Sequence, residues 1–115
     1  MNNHNNISIA QAYYKAMAEK NNAEVEKYLH PDVCLISPFG ETVGKEKVFE
    51  AAKKFMHMFK AINIRAQCGA EDYVMLAYDL LEFGNSDTTL RAASLMTFKD
   101  GLIVRNELFF DTRLL

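Results

Sequence analysis

Hydrophobic residues fall into two periods along this chain, a helical one up to about residue 60 and a strand-like one after it. Ala10, Tyr13, Tyr14 and Met17 recur at the three-to-four spacing of one helix face, which predicts a helix from about Ile9 to Lys20. Ser8 with Gln11 three residues later has the form of a capping box for its start. Asn21-Asn22 breaks that helix and can cap a shorter one, with Val25, Tyr28 and Leu29 as its stripe and His30-Pro31-Asp32 as its end. Val33 to Ile36 is a brief β-rich run closed by Ser37-Pro38-Phe39-Gly40. Gly44 then precedes a third helix whose apolar face is Val48, Phe49, Ala52, Phe55, Met56 and Phe59.

From Ile62 the period is two, giving runs at Ile62 to Cys68, Tyr73 to Phe83, and the pair Thr89 to Asp111 joined by Asp100-Gly101. That dipeptide supplies the positive-φ residues of a tight hairpin. Ala92, Ser94, Met96 and Phe98 share one face of the first strand, and Asn106, Leu108 and Phe110 share one face of the second. Helices come early and strands late, so the expectation is an α+β domain, three N-terminal helices packed on a mainly antiparallel sheet.

Composition narrows the class. A chain of 115 residues, half of them hydrophobic, is long enough for one self-sufficient core. Residues 1–7, polar and rich in asparagine, read as a frayed leader, and residues 8–115 as the single domain. A net charge of −2 without a basic cluster leaves no footprint for nucleic acid, and no apolar run is long enough to span a membrane. Cys34 and Cys68 lie in apolar runs without metal-type spacing, so they read as reduced, buried thiols and the expected location is cytoplasmic. His4, His30 and His57 are too dispersed to suggest a metal site, and no cofactor is expected.

The paired helices, the Pro38-Phe39-Gly40 turn, the helix opened by Gly44-Lys45 and the final Thr97-Phe98-Lys99-Asp100-Gly101 hairpin together resemble the nuclear transport factor two-like superfamily, in its SnoaL-like and ketosteroid isomerase-like branch. The resemblance spans about Ile9 to Asp111. It implies a strongly curved sheet that wraps the helices into a cone with an apolar pocket, and an outer sheet face that forms a homodimer. Carried over residue by residue, it puts Tyr13 where the isomerases have their oxyanion-hole tyrosine. Ser37 stands where their general base precedes the Pro-Phe-Gly turn, and Ser94 where they have a protonated aspartate, so the isomerase constellation is incomplete.

Strand parity suggests a replacement. If Met75, Ala77, Asp79, Leu81 and Phe83 face inward, Asp79 is a carboxylate in an apolar cavity and must find donors or take up a proton. A register slip or bulge would instead turn Asp79 outward and leave Tyr78 and Leu80 inside. The sequence therefore supports a pocket lined by Tyr13, Ser37, Phe39, Phe55, Met75, Asp79, Ser94, Met96, Asn106 and Phe110 that binds a small, mostly apolar molecule. Two alternatives stand beside it. One is an isomerase, cyclase or dehydratase with Asp79 moving the proton and Tyr13 stabilising charge; the other is a non-catalytic dimeric association domain.

Overall fold

The computed structural model describes residues 3–114. Two helices, α1 (Asn3–Ala18) and α2 (Asn22–Lys27), lead into a hairpin of β1 (Leu29–Ser37) and β2 (Gly40–Val43). Helix α3 (Lys45–Met56) follows, then the meander β3 (Ala61–Ala70), β4 (Tyr73–Leu81), β5 (Leu90–Lys99) and β6 (Leu102–Phe110). The six strands form one sheet in the order β2-β1-β6-β5-β4-β3, antiparallel throughout except where β1 joins β6. The α+β class and the early helices agree with the sequence pattern, although α3 comes after the first hairpin.

Local chemistry accounts for most of the boundaries. Helix α1 ends in a Schellman motif: Lys20 adopts φ 58° and its N–H donates to the Met17 carbonyl, while Asn21 N–H reaches back to Ala16. Asn21 then caps α2, its side-chain oxygen accepting the Glu24 N–H at 3.3 Å. In the β5–β6 turn Asp100 and Gly101 have φ of 54° and 77°, the left-handed pair the hairpin requires.

The start of the chain differs from expectation. Helix α1 begins at Asn3, so the Ser8–Gln11 pattern lies inside it and Asn6, placed by the sequence in a frayed leader, is fully buried. Tertiary contact overrides the local start signal here. Gly69 on β3 lets Ile7 approach so closely that an added Cβ would sit 3.0 Å from Ile7 Cγ1, and this contact holds the first turns against the sheet.

Three register shifts bend the sheet, at Leu29/Cys34 of β1, Ile64/Ala66 of β3 and Thr97/Phe98 of β5. The β1 segment between Leu29 and Cys34 carries three residues more than its β6 partner, whereas β3, and β6 at Val104 opposite Thr97/Phe98, each carry one extra, and such insertions increase local twist and coiling. The extra residue in β3 is Arg65. Ile64 pairs with Tyr78 on the inner face, but Ala66 pairs with Ala77 on the outer one. Cys68, expected to be buried, thereby moves to the exposed face opposite Met75. Met75 itself is 44 % exposed, and Val74, Leu76, Tyr78 and Leu80 occupy the core instead.

Lys20 ties the helix layer together. Its ammonium donates to the Met56 and Phe59 carbonyls at the end of α3 and lies 3.9 Å from the centre of the Phe59 ring. The Met56 carbonyl is a helix-end acceptor, at the pole where a cation is most favourable, and Phe59 lies just beyond it. Partial burial lowers the Lys20 pKa from its usual value. Replacing Lys20 by Met keeps the stem but removes the charged hydrogen bonds, and should cost about 2 kcal/mol in urea denaturation.

Candidate functional site

The concave face of the bent sheet is covered by α1 at one end and by α3 near β1 and β2, and between them a cavity of about 240 Å³ opens to solvent. Its walls are mostly apolar, with Leu29, Val33, Val48, Ala52, Phe83 and Leu108 among them. Its mouth carries Phe39, 71 % exposed, and Met58, also exposed, with the Phe39 and Phe110 rings 5.7 Å apart. Phe39 is held there by the turn after β1, where Ser37 Oγ accepts the Phe39 N–H at 3.2 Å. Polar groups on the wall come from Tyr13, Tyr14, Ser37, Asn106 and Lys54.

Tyr14 is fixed from behind. Its hydroxyl lies 2.6 Å from Ser94 Oγ and 3.3 Å from the Tyr78 hydroxyl, and Tyr78 lies 2.7 Å from Ser94, closing a buried triangle between α1, β4 and β5. Burial pushes the Tyr14 and Tyr78 hydroxyls above their usual pKa, strongly for Tyr78, while hydrogen bonds from Ser94 and the Asn106 amide partly offset the rise at Tyr14. Tyr13, one residue earlier, points along a different direction of the helix face. Its hydroxyl meets no hydrogen-bond partner among the described residues, and burial, with a smaller contribution from Tyr14, raises its pKa. All three tyrosines are therefore neutral donors at ordinary pH.

Of the residues expected to line the pocket, Tyr13, Ser37, Phe39, Phe55, Asn106 and Phe110 do so. Ser94 and Met96 are fully buried but sit outside the cavity wall, Ser94 behind Tyr14. Asp79 and Met75 are on the opposite side of the sheet, and this corrects the assignment of Asp79 as a proton carrier in the cavity. β4 pairs with β5 so that Leu76 faces Ser94 and Tyr78 faces Ala92, which sends odd-numbered residues of β4 outward. Asp79 accordingly sits beside Arg91 and forms an ion pair with the bulged Arg65, Nε to Oδ1 3.0 Å. Phe83 returns to the inner side because Glu82, just past the strand, adopts φ 50° and reverses the alternation.

Tyr14 and Lys54 also line the cavity, where strand parity could not place them because both lie on helices, while Phe83 lines it as its parity predicted although Met75, Ala77 and Asp79 face outward. Lys54 stood on what read as the polar side of the third helix. Tyr14 shares the helix stripe with Tyr13, the residue singled out from the sequence, and its partners on β4 and β5 distinguish the two.

A SnoaL-like domain family model matches residues 10–106. The chain belongs to this SnoaL-like family. No curated protein matches the sequence. Among solved structures, a de novo designed protein with a curved β-sheet superposes with a TM-score of 0.88 at 17 % identity, over 99 % of this chain and 91 % of the design. A nuclear transport factor two-like protein of unknown function from Cytophaga hutchinsonii gives 0.81 at 21 % identity, over 95 % and 92 % of the two chains. TerC, co-crystallised with polyporic acid, gives 0.77 at 21 % identity, over 96 % and 94 %. At these identities the likeness to solved structures is one of fold.

The hydroxyl triangle is the sharpest test of the site's construction. Tyr78→Phe leaves Ser94 and Tyr14 each short of a partner and should cost about 1–3 kcal/mol by chemical denaturation. It should also alter the pH profile. A buried tyrosine with a raised pKa contributes stability that is intact below about pH 10, the value for the unfolded chain, and is lost as pH climbs toward the folded pKa. Wild-type stability should therefore fall above about pH 10, and the Tyr78→Phe variant should fall less steeply.

Proposed function

We propose that this SnoaL-like protein is a small-molecule binding protein that takes a compact, mostly apolar ligand into the cavity between α1, α3 and the inner sheet face. The observation that carries this reading is the cavity itself: an apolar recess of about 240 Å³ with polar groups converging on it. An engineered apolar cavity of about 150 Å³ holds benzene, so this one suits a ligand on the order of ten non-hydrogen atoms. The co-crystallisation of TerC, a protein of the same fold, with polyporic acid supports a pocket that admits small molecules.

Acid–base catalysis is the weaker reading. Among the described residues that line the cavity there is no carboxylate and no histidine, and the tyrosines are held neutral by burial. With Asp79 paired to Arg65 on the other face, an isomerase, cyclase or dehydratase mechanism has no proton carrier of suitable pKa at the site.

Native mass spectrometry of the protein recovered from cell extract should find a retained small molecule, and propylbenzene should perturb the NMR signals of cavity methyl groups. Ala52→Leu fills part of the cavity with groups worth about 0.8 kcal/mol per methylene, so probe affinity should fall about tenfold or more while the melting temperature holds. Wild type that retains nothing and ignores propylbenzene would remove the binding reading. Asp79→Asn should leave probe affinity unchanged.

The outer sheet face supports a second proposal, a homodimer. Tyr73, Met75 and Phe109 are each more than two fifths exposed there, next to Ala77, Ala93 and Leu95. Around them the Arg65–Asp79 and Arg105–Glu107 ion pairs offer a polar rim. An apolar surface of this kind is rarely left bare. Light scattering at high micromolar concentration should give twice the monomer mass, and Met75→Glu with Phe109→Glu should reduce it to the monomer; a monomeric wild type rules the dimer out.

A further inference from the structure

Two features of the cavity wall specify more than apolar shape. The first is Asn106. It is 5 % exposed, its amide N–H group favours the Tyr14 oxygen, and its Oδ1 is a buried acceptor without a hydrogen-bond donor. A buried acceptor left unsatisfied is costly, so a ligand donor that reaches it gains accordingly. Tyr13 lines the same cavity, and its hydroxyl has no hydrogen-bond partner among the described residues. A ligand hydroxyl answers both, donating its proton to Asn106 Oδ1 and accepting the Tyr13 O–H. An ammonium answers only the first, and no carboxylate among the described lining residues would balance its charge.

The second feature is Lys54. Among the described lining residues it is the one charged side chain, and it stands exposed at the open side on α3, near Phe55 and Met58. Its neighbour Lys53 is neutralised by Glu50 at 2.6 Å, whereas no carboxylate of a described residue pairs with Lys54. The cavity therefore has a neutral hydrogen-bonding inner wall and a positive mouth.

We infer that the cavity receives a compact hydroxy acid: an apolar body whose hydroxyl end enters first to Asn106 and Tyr13 and whose carboxylate remains at the mouth against Lys54. This rests on the proposed binding function and adds polarity and direction to it. A carboxylate at the mouth stays partly hydrated, so it incurs little of the desolvation cost that burial would impose. The same charge that attracts the acid makes its affinity decline with salt.

Four probes and two variants test this by calorimetry and NMR: para-hydroxyphenylpropanoate, its methyl ester, phenylpropanoate and propylbenzene. The hydroxy acid should bind about threefold more tightly than the ester, and Lys54→Met should abolish that preference, read as the ratio of the two affinities within the same variant. The hydroxy acid should also exceed phenylpropanoate by about tenfold, a preference lost in Asn106→Leu. If Asn106→Leu fails to fold, the comparison of the two acids on wild type still decides the point. Propylbenzene binding with no preference among the other three overturns the hydroxy-acid assignment and leaves the binding function standing. Failure of all four to bind overturns both. A preference for the ester over the acid overturns the role of Lys54.

Discussion

The contact on which the architecture turns is the hydroxyl triangle of Tyr14, Tyr78 and Ser94. It joins a residue on the first helix to two neighbouring strands that lie far from it in sequence. Three hydroxyls buried together satisfy one another, whereas any one alone would be a costly unpaired group. The triangle therefore sets where α1 lies over β4 and β5. Because α1 is pinned at that end of the concave face, the space near α3, β1 and β6 stays open as the cavity. Ser94, which stands where the isomerases have a protonated aspartate, here anchors Tyr14.

Sheet curvature is the complementary constraint. A flat six-stranded sheet would press against all the helices evenly, and the three register shifts bend it so that one region of its concave face stands clear. The bulge at Arg65 has a further chemical effect. It exports Ala66 and Cys68 to the outer face and brings the Arg65 guanidinium within 3.0 Å of Asp79, giving the carboxylate a charge partner, although its buried Oδ1 lacks an aligned hydrogen bond. The superposition of a designed curved-sheet protein at 17 % identity is consistent with this account: alternation, bulges and turn residues specify the shape, and many side-chain sets satisfy it.

Function follows from what remains on the inner side. The cavity has donors in its tyrosines, an acceptor at Asn106 and one cation at its mouth, but the groups that would exchange protons near neutral pH are absent from its described lining. Such a wall can select and orient a molecule. The fold by itself assigns no chemistry, as expected where activity resides in a few side chains grafted onto a common frame.

Much of this was legible along the chain. Period alone determined the helix stripes through Tyr13 and Val48, the inner face of β5, the Asp100-Gly101 turn and the α+β class, because helix and strand repeats are local properties of the backbone. Those same repeats placed Phe55, Asn106 and Phe110 toward a common interior. Tertiary structure alone decided which way β4 faces, since an alternating apolar strand such as Tyr73–Leu81 offers two chemically similar faces and its partner's register chooses between them. It also decided that α1 begins at Asn3, through Ile7 against Gly69, and that Tyr14 rather than Tyr13 is anchored to Ser94. In each case the deciding partner lies on another element, the next strand for β4 and a strand on the far side of the sequence for Ile7 and Tyr14, where no local pattern can register it.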